Sequence, residues 1–120
     1  MAIHNDFGKE AEKKAAEFLK LSGYEIVERN WRFGKSEIDI IVRKGEELVI
    51  VEVKARSYDD VISPEEAVTP SKKKLLIAAA DHYVIENELD VDVRFDIVSI
   101  IKKRDKWELT HIENAFDAIL

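Results

Sequence analysis

Residues 37–56, EIDIIVRKGEELVIVEVKAR, limit the fold more than any other part of the chain. Two runs rich in Ile and Val flank Gly45-Glu46, and a two-residue loop with glycine first suits a type II′ hairpin turn. With that loop Lys44 pairs with Glu47, and the ladder continues as Arg43 with Leu48, Val42 with Val49, Ile41 with Ile50 and Ile40 with Val51. It then reaches Asp39 with Glu52, Ile38 with Val53 and Glu37 with Lys54. Side chains alternate between faces, so Ile38, Ile40, Val42, Val49, Val51 and Val53 form one wholly apolar face. A slip of one residue would mix the faces, so the hydrophobic pattern itself selects this register.

The opposite face carries Ile41 and Ile50 together with Asp39, Glu52, Glu37 and Lys54. Directly opposed residues have side-chain origins about 5 Å apart, so Asp39 and Glu52 repel one another unless something compensates. A shared proton, the Lys54 ammonium or a bound divalent cation would each do so. A solvated cluster of surface ion pairs would show the same spacing. Ile41 and Ile50 on that face call for a covering element, however, and a polar cluster at the edge of a covered face is a pocket.

Elsewhere, Asn5 or Asp6 can cap a helix that runs to about Ser22 and stops at Gly23. Its apolar stripe is Phe7, Ala11, Ala15, Phe18 and Leu19. Glu12 lies at the margin of that stripe, where it either leans toward the acidic pair or is an ordinary boundary residue. A short strand over residues 24–30 and the polar connection NWRFGKS lead into the hairpin strands, residues 36–43 and 47–55. Ser63, Pro64 and Glu66 form a capping box for a short helical turn. Thr69-Pro70 opens a second long helix with Leu75, Leu76, Ala79, Ala80 and Tyr83 on its buried side. VDVRFDIVSII and WELTHI read as two last strands joined by the charged turn KKRDK. Arg94-Phe95-Asp96 within the first of these is read as an internal salt bridge.

The order is α-β-β-β-α-β-β, an α/β chain with a mixed central sheet flanked by helices and one domain over residues 1–120. The absence of cysteine excludes disulfides, thiolate metal sites and thiol catalysis. No apolar run approaches a membrane span, and MAIHNDFGKE lacks the pattern of a secretory signal, so a cytoplasmic protein with no membrane partner is expected. A net charge of −6 argues against strong nonspecific affinity for DNA but not against an enzyme with local positive charge.

Asp39, then Glu52-Val53-Lys54 one strand later, behind a helix bearing Glu12, resembles the PD-(D/E)xK nuclease superfamily. The whole chain is similar to the YraN-like family of small bacterial proteins, related in fold to Holliday junction resolvases. GKEAEKKAA, GYEIVERNWR, EIDII, VEVKAR, EEAVTPSKKKL, RFDIVSI and IENAFD carry the resemblance. Ile38 stands where the superfamily name has a proline. The resemblance implies a restriction-endonuclease-like core and metal-dependent cleavage of phosphodiester bonds; the leading reading of the chain is an endonuclease using Mg²⁺ or Mn²⁺ on DNA, including branched or damaged structures. Asp39, Glu52 and the Val53 carbonyl would hold the metal, with Glu12 acting through water or on a second ion. Lys54 would orient a water or the scissile phosphate. Hard oxygen donors of this kind independently suit such a cation.

Lys72 matches a basic position of the family and is a candidate phosphate contact, as are Arg56 and Arg32. Trp31 could stack on a base, although a tryptophan next to a strand end is more often core or dimer contact, and Trp31 and Phe33 are candidates for the interface of a homodimer. His4, His82 and His111 show no metal-ligand spacing. The competing reading is a non-catalytic module of nuclease fold that binds nucleic acid or a protein partner.

Overall fold

A computed structural model describes residues 2–57 and 63–118, with side chains for residues 6–56 and 63–118. Along the chain lie α1 (Ala2–Leu21), β1 (Glu25–Phe33), β2 (Ser36–Lys44), β3 (Glu47–Ser57), α2 (Pro64–Ala67), α3 (Pro70–Glu86), β4 (Asp92–Lys103) and β5 (Lys106–Phe116). The strands form one mixed sheet in the order β1-β2-β3-β4-β5. Only the β3–β4 pair is parallel, because α2 and α3 carry the chain back between them.

Each face of the sheet is covered by one long helix. Ala11, Ala15 and Leu19 of α1 pack on Ile40, Val42, Val49, Val51, Val98 and Ile100. On the other face, Leu76, Ala79, Ala80 and Tyr83 of α3 pack on Ile41, Leu48, Ile50, Phe95 and Ile97. The short turn α2 has the expected capping box, with the Ser63 hydroxyl accepting from the Glu66 N–H and the Glu66 carboxylate reaching back. Thr69 caps α3 in the same manner, accepting from the Lys72 N–H.

The hairpin register holds from Lys44–Glu47 to Ile40–Val51, with Gly45 at φ +61° and Glu46 outside the left-handed region, as a II′ turn requires. There the ladder ends. The pairs Asp39–Glu52, Ile38–Val53 and Glu37–Lys54 do not form, and β2 continues instead alongside β1, as far as Phe33–Ser36. Ile38 was expected beside Ile40, yet it is buried in the cluster under α3. Once β2 leaves β3, alternation on that hairpin no longer dictates which face a residue takes.

Three other expectations change. The first helix begins at Ala2, ahead of the proposed caps, since nothing from Ala2 onward breaks a helix; the Asn5 side chain lies outside the described residues. NWRF belongs to β1, where pairing with β2 overrides its polar character and leaves only Gly34-Lys35 as the loop. Leu75 is 49% exposed, because at roughly 100° per residue it falls off the stripe from Leu76 to Tyr83.

A polar cluster ties β4 to its neighbours on the α1 side. Arg94 donates to both oxygens of Asp96 at 2.9 and 2.8 Å, to Glu47 at 2.8 Å and to the Tyr24 hydroxyl at 2.7 Å. Asp96 also meets His111 Nε2 at 2.7 Å and accepts from the Asn114 N–H at 3.0 Å. Burial alone would push the Asp96 carboxyl up, but the bonds from His111, Arg94 and Asn114 outweigh it and hold it below the ordinary range. The expected salt bridge is therefore present, within a larger network that gives scattered His111 a partner.

Because Asp96 is held low, its contribution to stability is present above the unfolded carboxylate pKa and is lost as pH falls through the folded value. Asp96→Asn should cost about 3–5 kcal/mol near neutral pH by leaving Arg94 without its buried counter-ion. Urea unfolding at pH 7 measures the loss, and a change below about 1 kcal/mol would contradict this role.

Candidate functional site

The divergence of β2 from β3 leaves backbone groups that a ladder would have used. Asp39 fills part of that gap. Its Oδ2 accepts from the Val53 N–H at 2.8 Å, so a side chain takes the place of a strand carbonyl. This bond draws the Asp39 carboxyl to β3, where Glu52 lies on the face under α3. The two carboxyls come close enough to share a hydrogen bond when one of them is protonated. Direct cross-strand pairing, the arrangement expected from the sequence, is thus replaced by a contact across a parted ladder.

Glu52 is buried, and its Oε2 lies 3.5 Å from Lys54 Nζ and 3.8 Å from Lys72 Nζ. Both distances exceed those of a tight charged hydrogen bond. Its other oxygen, Oε1, is buried without a hydrogen-bond partner among the described residues. Burial first, then Glu52, then the more distant charge of Glu12, push the Asp39 carboxyl up to about 8, against the lowering effect of the Val53 N–H. A carboxylate pair in which one member resists ionisation and the other has an orphaned oxygen lacks positive charge. The residues present therefore fit a hard divalent cation, which would relieve both penalties. Among the described residues no three His, Cys, Asp or Glu side chains converge to hold a metal by themselves. Two acids would need further oxygen donors, such as the Val53 carbonyl, water or a phosphate.

Asp39, Glu52, Lys54 and Lys72 are thus brought together. Glu12 acts on Asp39 through space while its Oε1 accepts from Asn30 Nδ2 at 2.9 Å. Arg32 is not brought to the acids; it pairs with Glu37 at 3.3 Å, on the neighbouring β1–β2 ladder. Arg56 is half-buried, with Nε and Nη1 lacking partners among the described residues. Donors in that state suit an anion. Lys73 and Lys74 do not join the cluster: Lys73 lies over the Phe116 ring and Lys74 is exposed.

Asn30 was missed by the sequence reading. It sits at φ +53°, a left-handed conformation that Asn tolerates better than most residues, and from there it fixes Glu12. An Asn between polar and aromatic residues inside a strand was the available signal.

The sequence model of the uncharacterised protein family UPF0102 matches residues 11–100. The chain belongs to this family. It is the YraN-like family that the sequence resembles, and the matched stretch contains Glu12, Asp39, Glu52, Lys54 and Lys72. A UPF0102 protein of Flavobacterium psychrophilum is 51% identical over 97% of this chain and 98% of its own length. That of Parabacteroides distasonis is 47% identical, over 98% of each chain. That of Porphyromonas gingivalis is 41% identical, over all of this chain and 90% of its own. Among solved structures, Pyrococcus furiosus SfsA in complex with Ca²⁺ aligns with 92% of this chain at 17% identity and a TM-score of 0.39. This chain spans 63% of that one, and so loose a match carries no argument. Among the described residues no helix is long and apolar enough to cross a membrane.

Since the Asp39 pKa is raised on folding, the stability associated with its protonated form is complete below about pH 4 and is lost as pH rises toward 8. Asp39→Asn keeps an acceptor for the Val53 N–H and removes the charge. Without metal it should be more stable than the parent at pH 8, by on the order of a few kcal/mol, with the difference vanishing near pH 4. Chemical denaturation across that range checks this, and a variant less stable at pH 8 would contradict it.

Proposed function

We propose that this protein is a metal-dependent endonuclease of the PD-(D/E)xK type, hydrolysing phosphodiester bonds of DNA. The observation that carries the reading is the Asp39–Glu52 pair, with Glu52 Oε1 unpartnered and Lys54 and Lys72 beside it. Two acids with a deficit of positive charge, next to ammonium groups with room for an anion, suit a cation and a phosphate bound together. The family resemblance supports the same machinery, and branched or damaged DNA is the substrate class we propose for it.

In this reading Asp39 and Glu52 hold Mg²⁺ or Mn²⁺, with Glu12 reaching it through water. A divalent cation there supplies positive charge beside the scissile phosphate and acidifies a nearby water. Lys54, ion-paired with Glu52, aims its ammonium at that water or at a phosphate oxygen. Lys72 presents a second ammonium from the first turn of α3, and Arg56 offers its unpartnered N–H groups to a neighbouring phosphate. Arg32, exposed at the edge strand, serves the nucleic-acid backbone further out. In the hydrolysis the water oxygen bonds to phosphorus as one P–O ester bond breaks, and a proton passes to the leaving oxygen. A homodimer would let two such sites cut two strands.

A second reading, a module that binds nucleic acid or a protein without cutting, draws on the absence of a three-ligand cluster among the described residues. Activity on linear, flapped and four-way DNA with Mg²⁺ or Mn²⁺ separates the two. The nuclease reading expects cleavage of at least one of these, and none with any would favour the module.

Millimolar Mn²⁺ should raise the melting temperature of the parent protein by mass action, and Asp39→Asn should abolish that gain. Lys54→Ala should keep the gain, since lysine is no ligand, while lowering turnover by roughly 100-fold or more. Loss of both in Lys54→Ala would contradict the assigned roles.

A further inference from the structure

Phe33 is the one large aromatic side chain that is substantially exposed among the described residues, at 38%. It sits at the tip of the β1–β2 hairpin, next to Gly34-Lys35, and its ring stacks on His82 of α3 with centroids 4.1 Å apart and planes 21° apart. His82 is itself held, its Nε2 3.1 Å from Glu86. Trp31 lies 6.2 Å beyond at a tilt of 31°, fixed edge-on against buried Tyr83. One face of the Phe33 ring is thus backed by a fixed set of rings, while the side chain remains open to solvent. Nothing in the core requires this arrangement.

The ring group is also aligned with the acidic site. From Lys72, which pairs with Glu52, to His82 is ten residues of α3, or about 15 Å along the helix. Lys72, Leu75 and His82 fall within roughly 80° of arc on the same flank of the helix. Leu75, exposed off the core stripe, therefore lies on the line between the two sites. Phe33 pairs with Ser36, three residues or about 10 Å along β2 from Asp39, which is about three stacked nucleotide steps. Lys35 adjoins Phe33 in the turn, whereas Arg32, 71% exposed, projects from the opposite face of β1, where it pairs with Glu37.

We propose that the Trp31–His82–Phe33 ring group is a stacking platform for an unpaired nucleobase, about three nucleotides from the Asp39–Glu52 pair. The inference rests on the nucleic-acid reading above and narrows its substrate to one with a single-stranded stretch beside the cut. A paired base inside a duplex has both faces covered by its neighbours and cannot offer one to Phe33. An unpaired base can, and Lys35 in the adjoining turn meets a phosphate beside it.

The test uses the full chain carrying Asp39→Asn, so that no strand is cut, with an oligothymidine containing one 2-aminopurine and a duplex of equal length. Tighter binding of the single strand is expected, with quenching of 2-aminopurine emission. Phe33→Ala should weaken that binding about 5- to 100-fold and restore the emission, while Phe33→Tyr retains both. Circular dichroism confirms that each variant is folded. Single-strand binding that is unchanged in Phe33→Ala would overturn the platform and leave the nuclease reading standing. Binding of neither oligonucleotide would remove both. A change in sedimentation with Phe33→Ala, without a change in DNA binding, would instead assign the patch to contact between copies of the chain.

Discussion

The hydrogen bond from the Val53 N–H to Asp39 Oδ2 is the contact on which the candidate site depends. A hairpin as apolar as β2–β3 would ordinarily zip to the end of its shorter strand. Here the ladder stops at Ile40–Val51, and a carboxylate caps the first freed donor on β3. Without such a cap the parting of the strands would leave a buried amide unpaired, at a cost of about 1–3 kcal/mol. With it, the same carboxylate is delivered to Glu52, against its own preference for solvent. Parting the strands and assembling the acidic pair are one event.

Two aspartates of the sheet, buried Asp96 and half-buried Asp39, show how strongly environment decides the state of one side-chain type. Asp96 is surrounded by donors, two from Arg94, one from the Asn114 backbone and the ring of His111, and it stays ionised despite burial. Asp39 has one backbone donor and faces Glu52 and Glu12, and it is pushed to about 8. The first is a satisfied network, and its place on the α1 face between β4 and β5 makes it part of the frame. The second has a deficit that no described neighbour fills, which is why its role is sought in something it binds.

Much of this was legible in the sequence, and the limits are instructive. The register of the hairpin followed from alternation and from Gly45, and a covered second face followed from Ile41 and Ile50. Those inferences needed only local periodicity. The position of Ile38 did not follow, because a strand can change partners, and periodicity relative to one neighbour says nothing once the other takes over. Asp39 and Glu52 were read as a pair for a reason only partly right: they meet through a cap across a gap, not through a rung of the ladder. The Arg94–Asp96 bridge was read from the sequence, whereas Asn30, Asn114 and His111 lie 18, 18 and 15 residues from the groups they hold, in combinations no spacing rule singles out. Leu75 looked like core by composition and was displaced by helix geometry alone.

The central claim is that the parted β2–β3 ladder builds a cation site from Asp39 and Glu52. Anomalous diffraction from crystals grown in millimolar Mn²⁺ tests it directly. The account predicts a manganese peak within roughly 2.0–2.5 Å of oxygens from both carboxylates. Crystals with no peak between Asp39 and Glu52, or with manganese bound elsewhere on the chain only, would contradict it.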